Sequence, residues 1–200
     1  NRHQETVPRD AGVVYIVNCS GITVKNLNLK GNWGAVYLAF TSDSLIDNVT
    51  ATGGGIALDR SDSNTITGNN ITDVDGPGIS LTTSADNYIS NNFVSNTNNS
   101  GIWLEDTSYN TVIGNTVINS SGGSWQEFDG AGILVDDSIG CNIVGNKLIT
   151  NWFGIVVGGI AVDNIVIEND MVKNRAGLGL WWGSTNTYRY NNLIENKKQL

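Results

Sequence analysis

Gly55-Ile56-Ala57-Leu58, Gly78-Ile79-Ser80-Leu81 and Gly101-Ile102-Trp103-Leu104 are near-copies of one phrase, each 23 residues after the last. Three more copies follow: Gly132-Ile133-Leu134-Val135, Gly154-Ile155-Val156-Val157 and Gly177-Leu178-Gly179-Leu180. Two looser ones come earlier, Gly12-Val13-Val14-Tyr15 and Ala35-Val36-Tyr37-Leu38. The gaps between starts are 23, 20, 23, 23, 31, 22 and 23 residues. Self-similarity at a fixed period of this size marks a stacked-repeat architecture. The one long gap places an insertion at residues 120–131.

Two further phrases recur within each period. Asn64-Thr65-Ile66, Asn87-Tyr88-Ile89 and Asn110-Thr111-Val112 form one series. Asn69-Asn70-Ile71, Asn92-Phe93-Val94, Asn115-Thr116-Val117 and Asn146-Lys147-Leu148 form the next. Apolar residues alternate, as in strands with one face buried. A single coil of three short strands cannot bury its own apolar edge, but stacked coils can. The turn asparagines tolerate left-handed backbone and bond along the stack. The reading is an all-β, right-handed, single-stranded parallel β-helix of about eight coils of roughly 23 residues. It forms one domain over 1–200 and is expected to be a fragment of a longer chain. A helical reading fails because 3.6-residue spacing is absent and Gly and Asn recur at every turn. An antiparallel sandwich would not explain so uniform a period.

The chain carries a net charge of −8 with a pI of about 4.4. That disfavours nucleic acid and anionic membrane surfaces, which need clustered Lys and Arg. No apolar run approaches the roughly 20 residues of a membrane span. Cys19 and Cys141 fall five coils apart, about 24 Å at the usual strand spacing and beyond disulfide reach. Both are expected to be buried free thiols.

Gly-Ile-x-Leu, then Asn-x-Ile, then Asn-x-Ile-x-x-Asn resembles the repeat of the pectin-lyase-like superfamily of parallel β-helices. It is similar to carbohydrate-binding and sugar-hydrolase β-helix domains of archaeal surface proteins, and of copper-enzyme maturation factors of the periplasm. The Asn-rich style also resembles the methanogen disaggregatase. The resemblance covers nearly the whole chain and implies a polysaccharide as partner, at an extracellular or cell-surface location. Some superfamily signatures are missing. Asp136-Asp137 resembles the double Asp of polygalacturonases, but Gly-His-Gly is absent, and the only histidine is His3. The Asp-Pro-His-Glu run of mannuronan epimerases is also absent. Arg60, beside Asp59, is placed where a lyase base would serve.

Counting each coil from its glycine, positions +1 and +3 point inward, while +2 and +4 point outward. From the third coil on, the +2 positions read Ala57, Ser80, Trp103, Leu134, Val156 and Gly179. The +4 positions read Asp59, Thr82, Glu105, Asp136, Gly158 and Trp181. The +5 positions read Arg60, Thr83, Asp106, Asp137, Gly159 and Trp182. Glu105 and Asp136, at one position on adjacent coils, have backbones about 4.8 Å apart, near the roughly 5–5.5 Å carboxyl separation of retaining glycosidases. Asp59, Asp106 and Asp137 are assigned assisting roles. Trp103, Trp125, Trp181 and Trp182 are assigned to sugar stacking, with Glu127, Asp129 and Arg60 as further contacts. Trp33 and Trp152 are assigned to packing. One histidine and two distant cysteines disfavour zinc and copper. No cofactor is expected, although clustered carboxylates leave room for calcium. The preferred activity is polysaccharide hydrolysis across coils three to eight. The alternatives are a polysaccharide lyase and a non-catalytic carbohydrate-binding or structural module. Oligomeric state is left open.

Overall fold

The computed structural model describes residues 14–31, 34–122 and 130–198. The described strands form three eight-stranded sheets, and every pairing is parallel between one coil and the next. Eight rungs give seven turns of a parallel β-helix. The first sheet contains Val14–Val17, Gly34–Ala39, Gly55–Asp59, Ile79–Thr82, Ile102–Glu105, Ala131–Asp136, Phe153–Gly158 and Ala176–Leu180, in that order.

The register follows the repeat. Ile56, Ile79, Ile102, Ile133, Ile155 and Leu178 form one inward column of the first sheet. Leu58, Leu81, Leu104, Val135 and Val157 form the other. The second sheet contributes Ile46, Ile66, Ile89, Val112, Ile143 and Val166, and the third Ala51, Ile71, Val94, Val117, Leu148 and Met171. All of these but Leu178, at 9%, are at most 1% exposed, so the core is one dry cluster running the length of the stack.

Each coil turns at columns of left-handed residues. Arg60, Thr83, Asp106, Asp137 and Trp182 have φ between 46° and 59°, and Gly159 has φ 63°. This column is the +5 position of the repeat, so the chain leaves the first sheet there at every rung. Gly101 shows why the phrase begins with glycine. A Cβ at that site would collide with the Val117 side chain and lie 2.9 Å from the Gly132 carbonyl.

Buried asparagines tie the rungs together. The amide oxygen of Asn115 accepts from both the backbone N–H and the side-chain amide of Asn92, each at 2.9 Å. The Asn115 amide nitrogen donates to the Ile89 carbonyl (3.0 Å) and to Asn146 Oδ1 (3.0 Å). The column runs Asn69, Asn92, Asn115, Asn146, Asn169, Asn191. A second column runs Asn64, Asn87, Asn110, then Cys141, then Asn164 and Asn186. Buried amides without partners are costly, so these columns fix turn geometry as well as spacing.

Three expectations are corrected. In the first coil Tyr15 pairs with Tyr37 and Val14 with Val36, one residue out of the register that a start at Gly12 implies, and Tyr15 faces outward. In the second coil Gly34 pairs with Gly55 and Val36 with Ile56, leaving Ala35 as an irregularity. Cys19 is exposed, while Cys141 is buried. Cys19 heads a column that continues as Thr41, Ser61 and Ser84. Its thiol donates to the Val17 carbonyl (3.2 Å) as Thr41 and Ser61 hydroxyls do to Ala39 and Asp59.

Replacing Asn115 with Ala should lower stability by about 3 kcal/mol or more, since several buried partners lose their bonds together. Asn98→Ala, which removes an exposed amide bond to Asp75 at a site outside the left-handed columns, should cost under about 0.5 kcal/mol. Urea unfolding midpoints of the two variants check this. Cys141→Asn should raise the midpoint, because it restores the amide that the column lacks.

Candidate functional site

The outward face of the first sheet carries the acids. Strand pairing places Asp59, Thr82, Glu105, Asp136 and Gly158 on successive rungs of one column. Glu105 and Asp136 are therefore direct cross-strand neighbours and both are half-buried. The Thr82 hydroxyl donates to Glu105 Oε2 at 3.5 Å. Asp106 and Asp137 occupy the adjoining left-handed corner column and are exposed. Asp137 Oδ1 accepts the Ile160 N–H at 2.6 Å. Gly159 makes room for both aspartates, as a Cβ there would collide with Asp137 Oδ1 and sit 2.7 Å from Asp136 Oδ1.

This crowding shifts proton affinities. Burial pushes the Glu105 carboxyl above its ordinary 4.5, and the charges of Asp106, Asp136 and Asp137 push it further, against the Thr82 hydrogen bond. Asp136 is pushed above its ordinary 3.8 by burial, then by Asp137 and Asp106, against a hydrogen bond from the Asp137 backbone. Both carboxyls are thus pushed toward the protonated form, and Asp136 adds its charge to the field at Glu105. Like charges held together disfavour double ionisation.

Asp59 lies apart from this pair, with the Thr82 rung between. It accepts from the Tyr37 hydroxyl (3.4 Å) and pairs with Arg60 (3.8 Å), whose guanidinium lies 5.4 Å from the Phe40 ring centroid. Tyr15 and Tyr37 stack at 4.9 Å with rings 6° from parallel. These tyrosines extend the +2 column two rungs below Ala57. They were not among the residues singled out from sequence, because that column was followed only from the third coil.

The tryptophans divide. Trp103 is half-buried and packs against Ala131, Leu134 and Val156. Its indole Nε1 is buried without a hydrogen-bond partner. Trp181 packs on the same cluster and meets Phe153 edge-on at 5.6 Å. Trp182 is 87% exposed at the corner column. Trp152 is exposed under the Arg175 guanidinium, 3.9 Å from the ring centroid. Trp125, Glu127 and Asp129 lie outside the described residues, as do Trp33 and His3. One expectation changes. The outward positions Leu134 and Val156 are only 2% and 0% exposed, so the +2 column is covered on coils six and seven, while the neighbouring Asp136 stays half-buried and Trp182 on the eighth coil is exposed. The +2 column reaches solvent from the first to the fifth rung.

The family model described as "Periplasmic copper-binding protein (NosD)" matches residues 2–127. The chain belongs to the NosD family. Among solved structures, a variant of the periplasmic alginate epimerase AlgG is similar with TM-score 0.80 and 18% identity, over 90% of this chain and 46% of that one. An alginate lyase from Paenibacillus gives TM-score 0.59 and 14% identity, over 95% and 91% of the two chains. XylC in complex with xylose gives TM-score 0.64 and 12% identity, over 91% and 37%. At these identities the likeness is one of fold, and this chain spans less than half of AlgG. No curated protein matches the sequence. The family description names copper, but the described residues do not fit such a site. No three His, Cys, Asp or Glu side chains gather to hold a metal among them, and the thioether of Met171 is fully buried in the core.

The raised Glu105 carboxyl has a stability signature. Its folded proton affinity exceeds the unfolded one, so its ionisation opposes folding, and stability falls as pH rises through the folded value. Glu105→Gln should therefore melt at higher temperature than the parent at pH 7. The advantage should vanish near pH 4, where the parent's Glu105 is protonated in the fold. Thermal midpoints of both proteins at the two pH values check this.

Proposed function

We propose that this β-helix belongs to a protein outside the cytoplasm that cleaves a polysaccharide by hydrolysis, with the glycan lying along the first sheet. The observation that carries the reading is the in-register pair Glu105 and Asp136. Two carboxyl groups on adjacent rungs disfavour double ionisation, which leaves one proton donor and one ionised partner. Glu105 is assigned as the general acid that protonates the leaving glycosidic oxygen. Asp136 stands across from it as nucleophile or base. Their one-rung spacing matches the short carboxyl separation of retaining enzymes. Asp106 and Asp137 assist by raising the acid. The periplasmic designations of the NosD family and of AlgG support an extracytoplasmic location.

A lyase is the second reading, favoured by the printed names of the alginate-acting neighbours. Elimination from a uronate needs a cation to neutralise the sugar carboxylate and a base beside it. Arg60, the candidate base, is engaged by Asp59 and Phe40. A face bearing Glu105, Asp106, Asp136 and Asp137 repels polyanions. Hydrolysis of an uncharged glycan fits this electrostatic pattern better.

Incubation with a panel of neutral and uronate polysaccharides, followed by size exclusion and absorbance near 235 nm, tests the choice. The expected result is shortening of a neutral chain without new absorbance. Glu105→Gln and Asp136→Asn should each lower that cleavage by about 100-fold or more. Shortening with new absorbance would establish the lyase. Full cleavage by both variants would refute the acid pair.

A further inference from the structure

The same face holds a second feature three to four rungs below Glu105. Tyr15 and Tyr37 stack across adjacent rungs, so their rings lie crosswise to the axis. One face of Tyr37 is covered by Tyr15, and the other looks along the sheet toward the next rung. There the outward residue shrinks to Ala57, then Ser80, before Trp103 rises on the rung beyond. Small residues between two aromatic shoulders leave a concavity of about 130 Å³, lined by Tyr37, Ala57, Ser80, Gly34, Gly55 and Pro77. The wall cannot close inward. A Cβ at Gly55 would collide with the Pro77 carbonyl and lie 2.6 Å from that of Gly78, so the backbones already touch.

Asp59, outside the trough, holds the Tyr37 hydroxyl and so fixes the ring's orientation. Ser80 adds a hydroxyl to the floor. A flat aromatic face with a hydroxyl beside it suits a sugar ring, which is apolar on its C–H face and polar around its edge. The aromatic ring also costs little entropy to hold, since it is already stacked.

We propose that Tyr37, oriented by Asp59 and with Ala57 and Ser80 as floor, forms a binding subsite for one neutral pyranose unit of the glycan. Tyr15 acts as a positioning residue that holds the Tyr37 ring. The subsite rests on the glycan reading given above, though not on the acid chemistry of Glu105 and Asp136. It lies on the same open face, three rungs from Glu105, about 14 Å at the usual spacing. The net charge of −8 selects against uronates.

Titration calorimetry of the Glu105→Gln protein with cellohexaose, xylohexaose and mannohexaose tests the subsite, since slowed cleavage leaves the probes intact. At least one neutral hexasaccharide should bind, and an oligo-uronate of equal length should bind at least tenfold more weakly. Tyr37→Ala should weaken binding at least tenfold, and Tyr37→Phe, which keeps the ring, by less than about threefold. Ala57→Trp fills the trough without deleting a contact and should also abolish binding, which guards against a misfolded Tyr37→Ala. Failure of all three neutral probes to bind, or unchanged affinity in both Tyr37→Ala and Ala57→Trp, overturns the subsite. Binding that depends on Tyr37 without any cleavage by the parent protein would leave the subsite standing and refute hydrolysis alone. Cleavage indifferent to Tyr37→Ala and Ala57→Trp would do the reverse.

Discussion

Everything in this molecule depends on the bonds between one coil and the next. No coil contains a hydrogen-bonded sheet of its own, because each strand finds its partners one turn above and one turn below. The buried amides of the Asn69-to-Asn191 column do the same for the turns, taking an N–H from one rung and giving to another. Dispersion and burial in the aliphatic columns add to this, but only because the bonds hold the side chains in register. The function-bearing face inherits that register. Glu105 sits beside Asp136 because Ile102 sits beside Ile133.

The interior was legible from the sequence to the level of single residues. Gly-apolar-any-apolar placed Ile79, Ile102 and Ile133 inside and in one column, and the structure has them there. The errors arose where a sequence pattern has two physical meanings. Gly12 resembles the glycine that opens a coil, yet counting from it runs one residue out of register, and the slip turned Tyr15 inward on paper. Cys19 resembles a buried small residue, but it heads its column in the first described coil, with no described rung before it.

The outer face was only half legible. Period two says which side of the sheet a residue occupies. It does not say what lies over that side. Leu134 and Val156 point away from the core, and they are nonetheless buried. Their apolar character was visible in the sequence and was read past in favour of the acids beside them. Tyr37 was equally visible, on a column followed from one coil too late. The raised proton affinities of Glu105 and Asp136 could not be read from the sequence, because they depend on how deeply each carboxyl sits.

The corner columns of left-handed residues have a consequence for how such a surface changes over time. Because every coil leaves the first sheet at the same dihedral, the positions along the axis are discrete, like marks on a ruler. Gain of one whole coil between Ser80 and Glu105 would move the tyrosine trough relative to the carboxyl pair by a single mark, leaving both intact. A shorter change would break the corner register and turn side chains to the wrong side. A chain built this way measures its ligand in whole steps, and its reach is a count of turns rather than a property of any one residue.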